Sequence, residues 1–234
     1  DIIKRAWESG FGTLLVTVDV PVGSRRERQL VAGVSVPPQF TPQTIWRAAI
    51  RPRWSLETLA NGLPRFKTLE RYFESSTFAG AARFVGKVVD GRPDWDMLRE
   101  MRDLWPGAFV VKGILHPEDA RLAVEAGVDG ILVSNHGGRQ FDAAPAAIDV
   151  LPEIARVVGG RAKILFDSGV EGGLDIMRAL SLGADFCLLG RAFLYATGAL
   201  GERGPQHAYE ILKADLEANM VQVGVQTPEE IKPA

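Results

Sequence analysis

The string Ser134-Asn135-His136-Gly137-Gly138-Arg139-Gln140 places a proton acceptor three residues from a guanidinium, inside a glycine-rich turn. That pairing suits removal of a proton from a substrate whose carboxylate the arginine holds, and the glycines let backbone approach a ligand closely. A lone histidine of this kind is more often structural. Position changes the balance, because Lys112 and Asp167 stand at equivalent places, each after a short apolar run of its own. A second constellation, Thr17-Val18-Asp19-Val20-Pro21 with Arg25-Arg26-Glu27-Arg28, offers a carboxylate able to hold a histidine in one tautomer. It also offers an arginine able to fork onto a substrate carboxylate. Taken alone, the run from Arg25 to Arg28 reads more readily as a solvated loop. The third constellation is Asp167-Ser168-Gly169-Val170 with Leu188-Leu189-Gly190-Arg191. Glycine-bearing turns that lead into helices bind phosphate through backbone N–H groups, and Arg191 adds the charge. His116 and His207 read as surface residues and Cys187 as core. No metal-ligand cluster is expected, and neither a P-loop nor a dinucleotide GxGxxG fingerprint occurs.

The elements that must position these groups follow from periodicity. Apolar runs of strand length cover Thr13 to Val18, Phe109 to Lys112, Gly130 to Ser134, Lys163 to Phe166 and Phe186 to Leu189. They are nearly continuous rather than alternating, as expected of strands covered on both faces. Amphipathic stretches separate them: Pro117 onward to a stop at Gly127, Pro145 to Val158, Gly172 to Leu182, and a closing helix from Gln206 to Val223. Alternating strands and helices with chemistry at successive strand ends define parallel β/α units, and the spacing from Phe109 onward favours a barrel over an open doubly wound sheet. Residues 30 to 93 interrupt the rhythm as an insertion, with helical pieces near Gln43 to Ile50 and Phe66 to Phe73. From Gln39 to Tyr72 it carries six basic and two acidic residues interleaved with Phe40, Trp46, Trp54, Phe66 and Tyr72. That composition suits a peripheral membrane contact, and a lid or subunit contact is the other reading.

The 234 residues are 46% hydrophobic and 24% charged, which excludes a disordered or low-complexity chain. A formal charge of -2 gives no general field for nucleic acid, and no nucleic-acid partner is expected. The single cysteine excludes a disulfide framework and fits a reducing, cytoplasmic compartment. No apolar run is long enough to span a membrane.

Val111-Lys112-Gly113, the Ser134 to Gln140 string, Asp167-Ser168-Gly169 and Leu189-Gly190-Arg191, preceded by the Thr17 to Pro21 and Arg25 to Arg28 segments, together resemble the FMN-dependent L-2-hydroxy acid dehydrogenases and oxidases. Arg51-Pro52-Arg53-Trp54-Ser55-Leu56 looks most like the membrane-associated mandelate dehydrogenases, with lactate dehydrogenases close behind. The resemblance implies a (β/α)8 TIM barrel, of which residues 1–234 would supply the last five units, strands four to eight. It implies oxidation of a 2-hydroxy acid to the 2-keto acid, with a quinone or oxygen as electron acceptor, in a homo-oligomer at the inner face of the cell membrane. His136 would be the base and Asp19 its holder, with Arg139 and Arg26 clamping the substrate carboxylate. Lys112 would sit by the flavin N1 and O2, Thr17 and Ser134 would contact the flavin, and Asp167 would hold the ribityl chain. Ser168 and Gly169, Gly190 and Arg191 would take the phosphate.

Two departures stand out. The family usually has an arginine where this chain has Glu171, a carboxylate that would repel a phosphate unless it turns away. Family members also begin with three further strands and two active-site tyrosines, whereas here a helix at Asp1 to Trp7 leads straight into the fourth strand. The expectation is therefore the carboxyl-terminal part of a longer protein, or a partner to a separate N-terminal piece. Two rivals remain. A phosphate-binding barrel of the inosine monophosphate dehydrogenase type leaves His136 with Arg139 unexplained, and a non-catalytic phosphate-binding remnant leaves the intact set of Asp19, Arg26, Lys112, His136 and Arg139 unexplained.

Overall fold

The computed structural model describes residues 1–24, 27–33, 40–62, 67–68, 72 and 92–231. They fall into two units, one of residues 1–20 with 92–234 and one of residues 21–91.

In the first unit, α1 (Ile2–Glu8) precedes β1 (Thr13–Thr17), and α5 (Trp95–Leu104) leads into β2 (Ala108–Ile114). Then follow α6 (Pro117–Glu125), β3 (Gly130–Val133), α7 (Ala147–Val158), β4 (Lys163–Phe166), α8 (Gly173–Ser181), β5 (Phe186–Cys187), α9 (Arg191–Leu200) and α10 (Gly204–Gln222). All five strands are parallel and pair in the order β1-β2-β3-β4-β5. An order without reversal has no switch point of the doubly wound kind and is the wall of a β/α barrel.

The core lies between strands and helices. Phe109, Val111, Ile131 and Val133 from the sheet pack with Leu151, Ile154 and Val158 of α7, all fully buried. The helix starts follow local chemistry. Asp94 caps α5 by accepting from Met97 N–H at 2.8 Å, and Pro117 fills the first turn of α6. Helix α5 lies outside the helices expected from sequence, directly after the 30–93 insertion.

In the second unit, α2 (Glu27–Val31) is followed by α3 (Pro42–Ala49) and α4 (Pro52–Asn61). Thr41 and Thr44 form a capping box at the start of α3, the helix expected near Gln43 to Ile50. Helices α2 and α4 are the unexpected elements. Pro52 occupies the first turn of α4, where its missing N–H costs nothing. The helix expected near Phe66 to Phe73 falls outside the described residues, apart from Lys67, Thr68 and Tyr72. Phe40, Ile45, Trp46, Ile50, Trp54, Leu56 and Leu59 are all exposed large apolar side chains.

Candidate active site

The carboxyl ends of β1 to β4 converge on one cluster. Thr17, the last residue of β1, pairs with Lys112 of β2, so the chain leaving β1 carries Asp19 beside the lysine. A β-bulge lies between Lys112 and Ile114. Its Gly113 adopts φ +106°, and a Cβ there would sit 2.5 Å from the Asp19 Cβ. Glycine at 113 is what lets Asp19 settle against β2. In sequence the only signal for this role is a glycine within a strand of larger side chains.

His136 follows β3 in a turn where three successive residues have positive φ: His136 at 56°, Gly137 at 66° and Gly138 at 69°. For a non-glycine residue such a conformation costs about 1–3 kcal/mol and persists only where surrounding bonds enforce it. The enforcement is visible. His136 Nδ1 lies 2.9 Å from Asp19 Oδ1. The carboxylate can only accept, so Nδ1 carries the proton and Nε2 is left as the acceptor. Lys112 Nζ donates to Ser134 Oγ at 2.7 Å and faces Asp19 Oδ2 at 3.4 Å and Asp167 Oδ2 at 3.7 Å. The side chains of Lys112, Asp19 and Asp167 are only 15%, 12% and 22% exposed, so these charges interact with weak screening. One ammonium against two carboxylates leaves the cluster net negative while the imidazole is neutral, and a proton taken by His136 brings it to neutrality.

A cleft of about 410 Å³ opens beside this cluster, lined among others by Asn135, Gly137, Ser168, Gly169, Arg178 and Arg191. Two helix starts near it differ. At α8, Asp175 accepts from the N–H groups of Glu171 and Gly172, and Asp215 from those of Gly173 and Leu174. At α9, Gly190 is the N-cap and supplies no side-chain acceptor, and Arg191 begins the helix. The α9 start is the one left for an anion, since α8 is already capped by carboxylates.

The expected residues therefore divide. Asp19, Lys112, Ser134, His136, Asp167 and Ser168 are brought together. Gly169, at φ +87°, and Arg191 line the cleft, Gly190 caps α9, and Thr17 is exposed at the end of β1. Arg139 is exposed just beyond the turn. Among the described residues, neither the Arg139 nor the Arg191 guanidinium is engaged by a protein acceptor. Arg26 lies outside the described residues. Glu171, the carboxylate expected to repel a phosphate unless it turns away, is exposed and absent from the residues lining the cleft, its backbone N–H bonded to Asp175. Ser134 is buried, with its hydroxyl engaged by Lys112 and by His136 N–H. Ser168 lines the cleft, its hydroxyl accepting from Asn135 and Gly137 N–H and donating to Asp167.

The parallel β/α wall thus brings a carboxylate-held histidine and a lysine between carboxylates to the carboxyl ends of its strands, beside a cleft with an arginine at an open helix start. The sequence pattern described as FMN-dependent dehydrogenase matches residues 1–234, and the chain belongs to that family. It is 39% identical over 233 residues to an L-lactate dehydrogenase of Bartonella quintana, covering 99% of this chain and 61% of that protein. It is 37% identical over 223 residues to an (S)-mandelate dehydrogenase of Pseudomonas putida, covering 95% of this chain and 56% of that one. Among solved structures, a monotopic membrane protein, (S)-mandelate dehydrogenase, superposes with a TM-score of 0.92 at 36% identity, over 99% of this chain and 61% of the other. A mandelate oxidase with (S)-2-phenylpropionate gives a TM-score of 0.75 at 31% identity, over 99% and 56%. The chain thus spans between 56% and 61% of the length of these relatives.

Proposed function

We propose that this chain carries the proton-transfer and cofactor-phosphate half of an FMN-dependent dehydrogenase that oxidises an L-2-hydroxy acid, of lactate or mandelate type, to the 2-keto acid. The observation that carries the reading is the His136 Nδ1 to Asp19 Oδ1 contact at 2.9 Å with Lys112 shared between Asp19 and Asp167. The residues present fit the flavin's chemistry: a part-buried ammonium suits a ring that gains negative charge on reduction, and the uncapped start of α9 with Arg191 suits a phosphate. Lys112, Thr17, Asp167, Gly169, Gly190 and Arg191 would hold it. When bound, FMN supplies the acceptor for the electron pair that leaves the substrate α-carbon.

Arg139 binds the substrate carboxylate and fixes the α-carbon, a positioning role worth several orders of magnitude in rate. As the α-hydrogen leaves, His136 takes one proton from the substrate at Nε2. Asp19 holds the ring through Nδ1 and stabilises the imidazolium that forms. The test is anaerobic bleaching of the yellow, FMN-loaded protein from its full reading frame by lactate or mandelate. His136→Gln should keep the colour and slow bleaching by about a hundredfold or more. A protein that stays colourless with excess FMN overturns the reading.

The second unit supports a membrane role beside this activity, with a membrane quinone as electron acceptor. Helices α3 and α4 expose Ile45, Trp46, Ile50, Trp54 and Leu59 together with Arg47, Arg51 and Arg53. Apolar and indole side chains with arginines at their margins bind an anionic lipid interface. Among the described residues no helix is long and apolar enough to cross a membrane, so the contact would lie on one face. Replacing Trp46 and Trp54 by serine should release the protein from anionic vesicles in a sedimentation assay. Unchanged binding would leave these helices as a lid or subunit contact.

A further inference from the structure

The turn that carries His136 is held by two serine hydroxyls. Asn135 N–H donates to Ser168 Oγ at 3.2 Å, His136 N–H to Ser134 Oγ at 3.0 Å, and Gly137 N–H to Ser168 Oγ at 3.2 Å. Three consecutive amides thus converge on two oxygens, in a stretch where His136 and Gly137 are left-handed. Consecutive N–H groups pointing inward from such backbone commonly cradle an anion, and here hydroxyl oxygens fill that place.

The two serines differ in origin. Ser134 belongs to the turn's own strand, whereas Ser168 comes from the next one, after β4, and is itself held at φ +82°. Its hydroxyl donates to Asp167 Oδ1 at 2.8 Å. A hydroxyl has one proton to give and two lone pairs to share, so with one bond donated and two accepted Ser168 Oγ is saturated. It lines the cleft, yet it has no hydrogen-bonding capacity left for a ligand.

We propose that Ser168 is a positioning residue for the base: its hydroxyl ties the β3 turn to Asp167 and so fixes the His136 ring against Asp19. The proposal rests on the reading of His136 as base. It gives Asp167 a second task, since one carboxylate oxygen faces Lys112 and the other anchors the turn through Ser168. It also explains why a non-glycine residue is tolerated at a left-handed position, for glycine would supply the backbone without the three bonds.

Two variants separate hydroxyl from backbone. Ser168→Gly relieves the left-handed conformation and removes the hydroxyl, and Ser168→Ala removes the hydroxyl alone. Neither adds bulk, and glycine is conformationally at ease there, so the glycine variant folds. In the FMN-loaded protein from its full reading frame, hydrogen exchange by mass spectrometry on peptides covering residues 134–140 should speed up by about tenfold in both, with residues 130–133 unchanged. The rate of flavin reduction by substrate should fall by about tenfold or more in both, with FMN affinity within about twofold of the parent.

Unchanged exchange in the turn overturns the proposal. So does a loss of FMN affinity with an unaltered reduction rate per bound flavin, which would make Ser168 a cofactor contact. His136→Gln is the control on the underlying reading. If it loses reduction while Ser168→Gly keeps both exchange and rate, the positioning role alone fails. If His136→Gln still reduces flavin at the parent rate, the base reading fails.

Discussion

The two ends of the sheet are built from the same residue types to opposite purposes. At the amino ends, aspartates are tied to backbone in a repeated device. Gly127-Val128-Asp129 precedes β3, and Gly183-Ala184-Asp185 precedes β5. Asp129 donates its N–H to Phe109 O and accepts Phe109 N–H on its carboxylate, both at 2.8 Å. Asp185 does the same to Ile164, at 2.7 and 2.8 Å. Each has a cation beside it, Arg102 for Asp129 and Lys163 for Asp185. Both aspartates have their geometry fixed by main chain, which sets the register of neighbouring parallel strands. At the carboxyl ends, Asp19 and Asp167 face side chains instead, His136, Lys112 and Ser168. The amino-end carboxylates are bonded to backbone N–H groups and hold strand register, whereas the carboxyl-end ones accept from a histidine ring, a lysine and a serine hydroxyl at the candidate site.

That contrast predicts separable effects. Gly113→Ala should do the greatest harm to chemistry, because the added methyl meets Asp19 and the position has φ +106°. Displacing Asp19 by a fraction of an ångström frees the His136 ring, and flavin reduction by substrate should fall by about a hundredfold. The strain should also cost about 1–3 kcal/mol in a denaturant titration. Asp19→Asn, which leaves the backbone alone, should reproduce the loss of rate without that loss of stability. If Gly113→Ala reduced flavin normally, the bulge would have no part in placing the carboxylate.

Asp129→Ala should do the reverse. Phe109 is fully buried, and removing the carboxylate strands its N–H, at a cost of about 1–3 kcal/mol. The Arg102 pair adds little, since Asp129 is half exposed. Asp185→Ala should cost about the same through Ile164 N–H. Reduction rates per folded molecule should stay within about twofold of the parent in both. A matching loss of rate would mean that the two ends of the sheet are not independent.

The same contrast governs what could be read from the sequence. The reactive end was legible because histidine, lysine, aspartate and arginine fall at successive strand ends, where residue type alone announces chemistry. Gly113, Ser134 and Ser168 were harder to read, since their roles depend on a bulge and on a left-handed turn that type and spacing do not reveal. The strand positions were legible in apolar runs such as Gly130 to Val133. Helix α4 was not, because Arg51-Pro52 marks a stop as easily as a start. The aspartates of the amino end repeat as Gly-apolar-Asp before a strand, a signal present in the chain but overshadowed by the motifs at the other end.

Cys187 offers the finest test, since it lies in β5 between the two ends. Burial pushes its thiol up to about 11. A thiol at that value is about one part in a thousand thiolate near pH 8, so alkylation by iodoacetamide should be slow there and rise about tenfold per pH unit. The sign on stability follows. The folded thiol holds its proton where the unfolded one, at the model-peptide value of 9.0, has lost it, so any contribution is complete below pH 9.0 and is lost as pH rises toward 11. Cys187→Ser should leave flavin reduction within about twofold of the parent, because the thiol takes part in neither the backbone ties nor the proton cluster. Rapid alkylation at neutral pH, or a loss of reduction in Cys187→Ser, would extend the reactive region down the strand and blur the division between the two ends.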